Sequence, residues 1–324
     1  MKSFVVRRTV WTVFAMYLLL SASFFTVALT PDPNQQLVGL AAASAAMMEG
    51  ENPNEAAAEA IAAYAEARNR DRPLLDRYRD WVVGYTTFQW GWSYAYSEPV
   101  TDVIADTVPV TLAYVIPALL ISWILSLAGG VYAAFRRGTA LDGVGRTVTY
   151  LGVGLPAVIV VMLLRSTVYA GSSVPRYDAA AGVLAPDNLA ALAIPSAVVA
   201  GSMLVMQWRM VRAESLDLLT RDFVTALRAD GAGGTRLGRH VLKNATAPLL
   251  AVFNAEVLTV LFLTMYVVEQ FLGIPGLGSA TLTAFEDRDI GLVLATVLLP
   301  AFVGLLGNFL TDVASAVVDP RVSA

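Results

Sequence analysis

Long stretches without a charged residue alternate with polar segments along this chain. Each is close to the ~20 apolar residues that a helix needs to cross the ~30 Å hydrocarbon core of a membrane. They cover residues 9–31, 107–135, 147–164, 188–208, 244–268 (interrupted by Glu256) and 290–311. The pattern therefore predicts an all-α membrane protein with six transmembrane helices. Prolines inside several of them, among them Pro156 in the third, predict bends because each removes a backbone hydrogen bond.

The composition agrees with a membrane protein. Of 324 residues, 56% are hydrophobic and 15% are charged, and the mean hydropathy is +0.61, whereas soluble domains have about 25% charged residues. We therefore expect residues 1–324 to form a single transmembrane domain. The absence of cysteine excludes disulfides and thiolate metal sites, and a single histidine, His240, does not supply the roughly four ligands of a zinc site. The sequence thus predicts no cofactor held by this chain.

Basic residues are distributed unevenly between the two sides of the predicted spans. One side carries fourteen Lys and Arg residues and the other eight, five of which lie in one long segment. Since cytoplasmic loops retain positive charge, we predict that both termini and the segment 209–248 are cytoplasmic and that residues 32–106 lie outside. The first span also fits a signal peptide, but its apolar run exceeds the ~7–15 residues typical of one, which favours a retained anchor.

The external segment 32–106 begins with a helix-start signal. Asn52 is a suitable cap for a helix that begins at Pro53. The next residues separate into a polar and an apolar face, with Glu55, Glu59 and Glu66 opposite Ile61 and Tyr64. We expect this amphipathic helix to cap the outer ends of the spans.

Aromatic residues follow in a charge-free stretch, namely Trp81, Tyr85, Phe88, Trp90, Trp92, Tyr94 and Tyr96. Such rings suit the membrane interface. A sugar- or peptide-binding platform is the alternative.

The segment 209–248 has the features of a helical elbow on the cytoplasmic side. Four apolar residues recur at three- and four-residue spacing and predict an amphipathic helix: Leu216, Leu219, Phe223 and Leu227. Gly231 is a natural helix stop, Thr235 is a suitable cap for a second helix, and Pro248 is expected to open the fifth span. This shape favours insertion into a groove on another protein, whereas the seven basic residues would also suit anionic lipid headgroups.

The string TALRADGAGGTRLGRHVLKNATAPLL resembles a cytoplasmic loop, often called the EAA loop, of binding-protein-dependent ABC transporter permeases. Its form is that of the dipeptide, oligopeptide and nickel branch, and the chain looks like the first, B-type permease. Gly231 and Pro248 keep the branch's spacing, while Asp230 stands where a Lys is usual. Four more segments resemble the branch in the right order: GWSYAYSEPVTDVIADTVPVTL, RRGTALD, VVEQFLGIPGLG and VVDPRV. The likeness covers residues 1–30 and 88–324.

The resemblance implies a type I importer permease fold with an extracytoplasmic helical insertion. It also implies that the coupling loop (209–248) docks on an ATPase through Ala226, Arg228, Ala229, Asp230, Gly231, Arg236, Arg239, His240, Asn244 and Pro248. The implied partners are a second permease, two cytoplasmic ATPase subunits that bind ATP and Mg, an external substrate-binding protein and the lipid bilayer, with no nucleic acid. We expect no enzyme activity here, because neither Lys follows a glycine as a Walker A loop requires.

Polar residues inside the spans are candidates for the translocation path. An ionised Glu256 near the bilayer centre would cost roughly 2–3 kcal/mol, so we expect it to face a cavity or a partner. The candidate path residues are Asn254, Glu256, Glu269 and Asn308. Glu269 is also placed to order residues 271–277. A carboxylate in the path would suit a peptide amino group or a metal cation, and a helix-to-helix hydrogen bond is the structural alternative.

The substrate and two rival functions stay open at this stage. The resemblance favours di- and oligopeptides, but nickel, sugars and opines are carried on the same scaffold. A non-transporting membrane scaffold would use the coupling loop only to recruit cytoplasmic proteins. A proton-coupled carrier would depend on Glu256.

Overall fold

The computed structural model describes residues 2–30, 33–67, 70–170 and 174–318. The helices are α1 (Lys2–Leu29), α2 (Pro33–Glu49), α3 (Pro53–Ala67), α4 (Leu74–Thr86), α5 (Val100–Phe135), α6 (Ala140–Val153), α7 (Ala157–Thr167), α8 (Pro186–Leu219), α9 (Asp222–Ala229), α10 (Gly234–Thr259), α11 (Met265–Leu272), α12 (Leu277–Glu286) and α13 (Ile290–Val318). A π-helical turn (Val260–Thr264) joins α10 to α11, and a 3-10 turn (Ala179–Ala181) precedes α8. Two short strands, β1 (Trp92–Ser93) and β2 (Glu98–Pro99), form an antiparallel hairpin. The closing VVDPRV motif lies mostly outside the described residues.

Among the described residues, five helical segments are long and apolar enough to cross a membrane: α1, α5, α8, the second part of α10 together with α11, and α13. The third predicted span differs. It consists of α6 and α7, which meet at 88°. Pro156 stands immediately before α7 and lacks the amide hydrogen that would continue α6. The all-α prediction is confirmed, and the bend predicted at Pro156 is a sharp break between two helices.

Close helix packing at α5 and α8 depends on glycine. A Cβ on Gly129 of α5 would lie 1.8 Å from the ring of Trp208 on α8, and one on Gly145 of α6 would lie 3.2 Å from the same ring. The indole is therefore held between two glycine surfaces. The adjacent Gly130 lets the backbone of α5 approach Val211, one turn after Trp208 on α8. These contacts bind α5, α6 and α8 into one packed unit.

Most prolines do not break their helices. Pro109 and Pro117 lie inside α5, Pro195 inside α8 and Pro300 inside α13. Pro248 begins the fifth span as predicted, although it lies inside α10, which runs without interruption from Gly234 to Thr259. The helix begins at Gly234, well before that proline, so the coupling loop and the span share one continuous helix.

The external segment contains a helical hairpin. Its second helix, α3, begins at Pro53 as predicted, and the Asn54 amide donates to Asn52 Oδ1 at 3.1 Å. Its apolar face packs on α2, where Ile61 closes against Gly39. The sequence did not predict α2, and the expected cap on the outer ends of the spans is wrong, since α3 packs on α2 instead.

The aromatic residues of α4 pack on α1. Trp81 Nε1 donates to the carbonyl of Leu20 at 3.2 Å, and the hydroxyls of Tyr78 and Ser21 are 2.7 Å apart. The rings of Trp81 and Tyr85 have centroids 4.2 Å apart. This cluster ties the insertion to the first span, and its position at a membrane interface stays a prediction.

Candidate functional site

The coupling loop contains a short helix between two long ones. The predicted single helix over Leu216–Leu227 is wrong, because α8 ends at Leu219 and α9 starts at Asp222. Within α9, Val224 is fully buried, and Phe223 packs against the apolar cluster that α8 and α10 share. The predicted apolar stripe thus belongs to two helices, the end of α8 and the whole of α9.

Gly231 ends α9 as the sequence predicts. Its φ is +75°, a left-handed conformation that glycine adopts without a Cβ penalty. The Gly231 amide donates to the Arg228 carbonyl and the Ala232 amide to the Leu227 carbonyl, both at 3.0 Å. This pair of bonds is the Schellman arrangement. The next helix, α10, is capped by Gly233 and not by Thr235 as predicted.

Most of the predicted coupling residues share an exposed surface on α9 and the first half of α10. The exposed ones are Ala226, Arg228, Ala229, Asp230, Gly231, Arg236, Arg239, Asn244 and Pro248, while His240 is half-buried. Asn244 Nδ2 donates to the His240 carbonyl at 2.8 Å. Within the described ranges, Arg228, Arg236 and Arg239 form no ion pair. Their guanidinium groups are therefore free to bind another protein.

An exposed ion pair, Arg221 with Asp217, lies next to this surface at the end of α8. Arg221 Nη2 donates to Asp217 Oδ2 at 2.7 Å. This hydrogen bond raises the pKa of the Arg221 guanidinium, which stays charged.

A groove of about 730 Å³ lies beside this surface. Its walls are the last turns of α5, with Tyr132 and Phe135, and the start of α10, with Gly238 and Arg239. This groove could not be predicted from the sequence, because its two walls are about a hundred residues apart along the chain.

An ion pair that the sequence did not reveal joins α6 to α8. Arg212 donates to both oxygens of Asp142 at 2.6 and 2.9 Å. The Gly138 amide donates to the same carboxylate at 3.1 Å, and the Asp142 side chain is 1% exposed. The RRGTALD motif is thereby fixed on the helix that leads into α9. The only feature of the sequence that pointed to this ion pair was the RRGTALD motif, which ends at Asp142.

Glu269 lies at the other end of the bundle and is fully buried. Its carboxylate accepts hydrogen bonds from Thr111 Oγ1 at 2.6 Å, Tyr114 Oη at 3.0 Å and the Ser279 amide at 2.9 Å. Thr111 also accepts from the Leu277 amide at 2.8 Å. This network orders the turn between α11 and α12, which is the structural role that the sequence also allowed for Glu269. Among the candidate path residues, Glu269 faces no open surface of this chain.

The remaining candidate path residues lie on α10 and α13. Asn254 Nδ2 donates to Asn308 Oδ1 at 2.8 Å, and Asn308 is exposed. Glu256 is half-buried beside Gln207 of α8. One Glu256 oxygen and both amide atoms of Gln207 are buried without a hydrogen-bond partner in the described part of the chain. The structure brings Asn254 and Asn308 together and leaves Glu256 and Glu269 in separate environments.

Known proteins resemble this chain in sequence. The family model for the inner membrane component of binding-protein-dependent transport systems matches residues 126–324, more than half of the chain. The metal-staphylopine import system permease protein of Staphylococcus aureus is 28% identical over 264 residues, 82% of this chain and 83% of its own length. The dipeptide transport system permease protein of Bacillus subtilis is 27% identical over 271 residues, 83% and 85%. That of Lactococcus lactis is 25% identical over 254 residues, 78% and 82%.

The matched region contains α9, α10, the Asp142–Arg212 pair and Glu269, whereas Thr111 and Tyr114, which donate to Glu269, precede it. The helices have the type I importer permease fold. The chain therefore belongs to the family of binding-protein-dependent transport system inner membrane components, and it is a multi-pass permease subunit of an ABC importer, without an ATPase site of its own.

Proposed function

We propose that this chain forms, with a second homologous permease, the membrane path for di- and oligopeptides that an external binding protein delivers. Two cytoplasmic ATPase subunits, which bind ATP and Mg, dock on its coupling loop (209–248). The peptide substrate is supported by the names of the Bacillus subtilis and Lactococcus lactis relatives, both dipeptide transport system permeases.

The observation that carries the proposal is the construction of α9. The helix is eight residues long, ends in a Schellman stop at Gly231 and presents Ala226, Arg228 and Ala229 outward. Val224 anchors its inner face. A force on α9 therefore reaches α8 through the two-residue turn Thr220–Arg221 and α10 through Gly231–Gly233, and both of these helices continue into the membrane.

The orientation follows from the basic residues. Arg228, Arg236 and Arg239 lie at the α9 end of the bundle, which we place in the cytoplasm by the distribution of positive charge. Both termini are then cytoplasmic, and the α2–α3 hairpin is outside. Residues 1–324 act as one permease domain in this arrangement.

We assign the path to Asn254, Glu256 and Asn308, whose side chains are exposed or half-buried in this chain. Asn254 and Asn308 form a hydrogen-bonded pair on adjacent helices, and Glu256 keeps one oxygen without a partner. These groups would meet substrate between the two permeases. We assign Glu269 to the fold rather than to the path.

A metal chelate is the alternative substrate. It is favoured by the Staphylococcus aureus relative, whose name describes import of a metal–staphylopine complex. Asn254 and Glu256 are oxygen donors, which are compatible with either cargo.

Uptake by the assembled importer tests the proposal. The chain, its partner permease, the two ATPases and the binding protein are reconstituted in proteoliposomes with labelled trialanine outside and ATP inside. We expect vanadate-sensitive uptake that stops when ADP replaces ATP and persists when a protonophore is added. Uptake without ATP, or uptake that the protonophore abolishes, would support the proton-coupled carrier and contradict the proposal.

A further inference from the structure

A cavity of about 410 Å³ opens at the end of the bundle opposite to α9. Five polar side chains line it, namely Tyr96, Glu98, Asp106, Thr107 and Tyr177, and the remaining wall is mainly apolar, with Val110 and Pro275. Its size falls within the ~300–1,000 Å³ typical of small-molecule pockets. We call it the outer carboxylate pocket.

Buried side chains outside the pocket hold each of its walls. The wall that carries Tyr177 is fixed by Asn188, whose side chain is fully buried. Asn188 Oδ1 accepts from the Asp178 amide at 2.8 Å, and Nδ2 donates to the carbonyls of Asp178 and Gly182 at 2.7 Å. The segment between these residues therefore has a fixed shape before any ligand arrives.

A second buried group fixes the hairpin that carries Tyr96 and Glu98. Asp289, 4% exposed, accepts from Ser93 Oγ and the Tyr94 amide at 2.7 Å. The Tyr96 amide in turn donates to Ser93 Oγ at 3.2 Å. The hairpin is thereby attached to the start of α13, where Asp289 also accepts from the Leu292 amide.

The third wall belongs to the Glu269 network. Pro275 lies in the turn that Glu269 and Thr111 order, and Thr111 is one turn below Thr107 on α5. Three separate hydrogen-bond networks, around Asn188, Asp289 and Glu269, thus hold the walls of one cavity. A site whose walls are held by packed, hydrogen-bonded groups loses little entropy when it binds.

The two carboxylates inside the pocket, those of Glu98 and Asp106, are not used to hold the fold together. In the part of the chain that the structure describes, neither Glu98 nor Asp106 forms an ion pair or accepts a side-chain hydrogen bond. Two unpaired carboxylates attract a cation, and the rings of Tyr96 and Tyr177 add cation–π attraction. The apolar wall suits the carbon atoms next to such a cation.

We propose that the outer carboxylate pocket binds the primary ammonium group of the incoming substrate, the free amino terminus of a short peptide. The inference rests on the proposed function. It adds a point on this chain that receives the peptide when the binding protein releases it. The pocket then selects for a free amine at the outer mouth of the path, before the substrate reaches Asn254 and Asn308.

Cysteine labelling tests this directly, because the chain has no cysteine of its own. Ala179→Cys places a thiol in the pocket wall of the assembled importer in nanodiscs. The labelling rate with a fluorescent maleimide is measured with trialanine and with N-acetyl-trialanine. We expect trialanine to slow labelling at least about fivefold, the order of effect of two partly exposed charge pairs, and the acetylated peptide to have little effect.

Charge-removing variants provide the second arm. Glu98→Gln combined with Asp106→Asn should abolish the protection by trialanine, whereas Asp102→Asn, an exposed acid outside the pocket on the same helix, should retain it. Equal protection by the two peptides, or protection that survives the double variant, would overturn the inference. Protection by the binding protein without peptide would assign the pocket to a basic side chain of that protein and equally overturn it.

The same samples separate this inference from the proposed function. If the wild-type importer takes up trialanine with ATP but no protection occurs, the pocket assignment fails and peptide import stands. If no peptide is imported under any condition, the proposed function fails, and the binding of an amine to the pocket is judged by the labelling rates alone.

Discussion

Gly129→Leu should prevent the permease from folding into a monodisperse species. The built Cβ position at Gly129 lies 1.8 Å from the Trp208 ring, and Gly145 of α6 packs against another edge of the same half-buried ring. A leucine adds three more carbons in the same direction. Overpacking of a dense core typically costs about 1–3 kcal/mol or more, and here it would separate α5 from α8, so we expect the upper end or beyond. Size-exclusion chromatography of the detergent-solubilised chain should show aggregate and little monodisperse protein.

Two companion variants make this result specific. Gly201→Ala, on the same helix as Trp208, has no heavy atom within 4 Å of the new Cβ and should behave as the wild type. Combining Gly129→Leu with Trp208→Ala removes the obstructing ring and should restore part of the monodisperse fraction. A well-behaved Gly129→Leu single variant would show that Trp208 is not held between α5 and α6.

Gly231→Pro should leave the chain folded but reduce vanadate-sensitive uptake by more than about tenfold. Proline is confined to φ near −65°, whereas Gly231 has a φ of +75° and its amide donates to the Arg228 carbonyl. The substitution therefore removes the stop of α9 and reorients the exposed surface. Uptake and ATPase co-purification are the measurements.

Two further variants separate the effect of a proline in this loop from the loss of the left-handed conformation at Gly231. Gly234→Pro places proline at the first residue of α10, a position where its missing amide hydrogen is not needed, and uptake should be close to wild type. Gly231→Asn should be milder than Gly231→Pro, because asparagine tolerates the left-handed conformation. Intact uptake in Gly231→Pro would remove α9 from the coupling mechanism.

The sequence predicted the features that depend on local pattern. Charge-free length located the spans, and Gly231 marked the end of α9 because a left-handed stop requires the residue itself. The start of α3 at Pro53 was predicted for the same reason, since the Asn52 cap is a local signal. These features need no knowledge of what packs nearby.

The features that the sequence missed depend on distant residues. Asp142 and Arg212 are 70 positions apart, and Thr111 and Glu269 are 158 apart, so neither pair leaves a periodic signal. The helix α2 was missed because its alanine-rich sequence has no strong polar face. The break before α7 was expected only as a bend, and its 88° angle is set by how α6 and α7 pack on the bundle.

Site-specific cross-linking from α9 tests the central claim most directly. Ala226→Cys puts a single cysteine of this chain on the exposed face of the helix. In the assembled importer, a short bifunctional thiol reagent should join it to an ATPase subunit, with a yield that changes between the ATP-bound and nucleotide-free states. A thiol that reacts with a membrane-impermeant reagent from outside intact cells, and forms no cross-link to an ATPase in either state, would contradict the account.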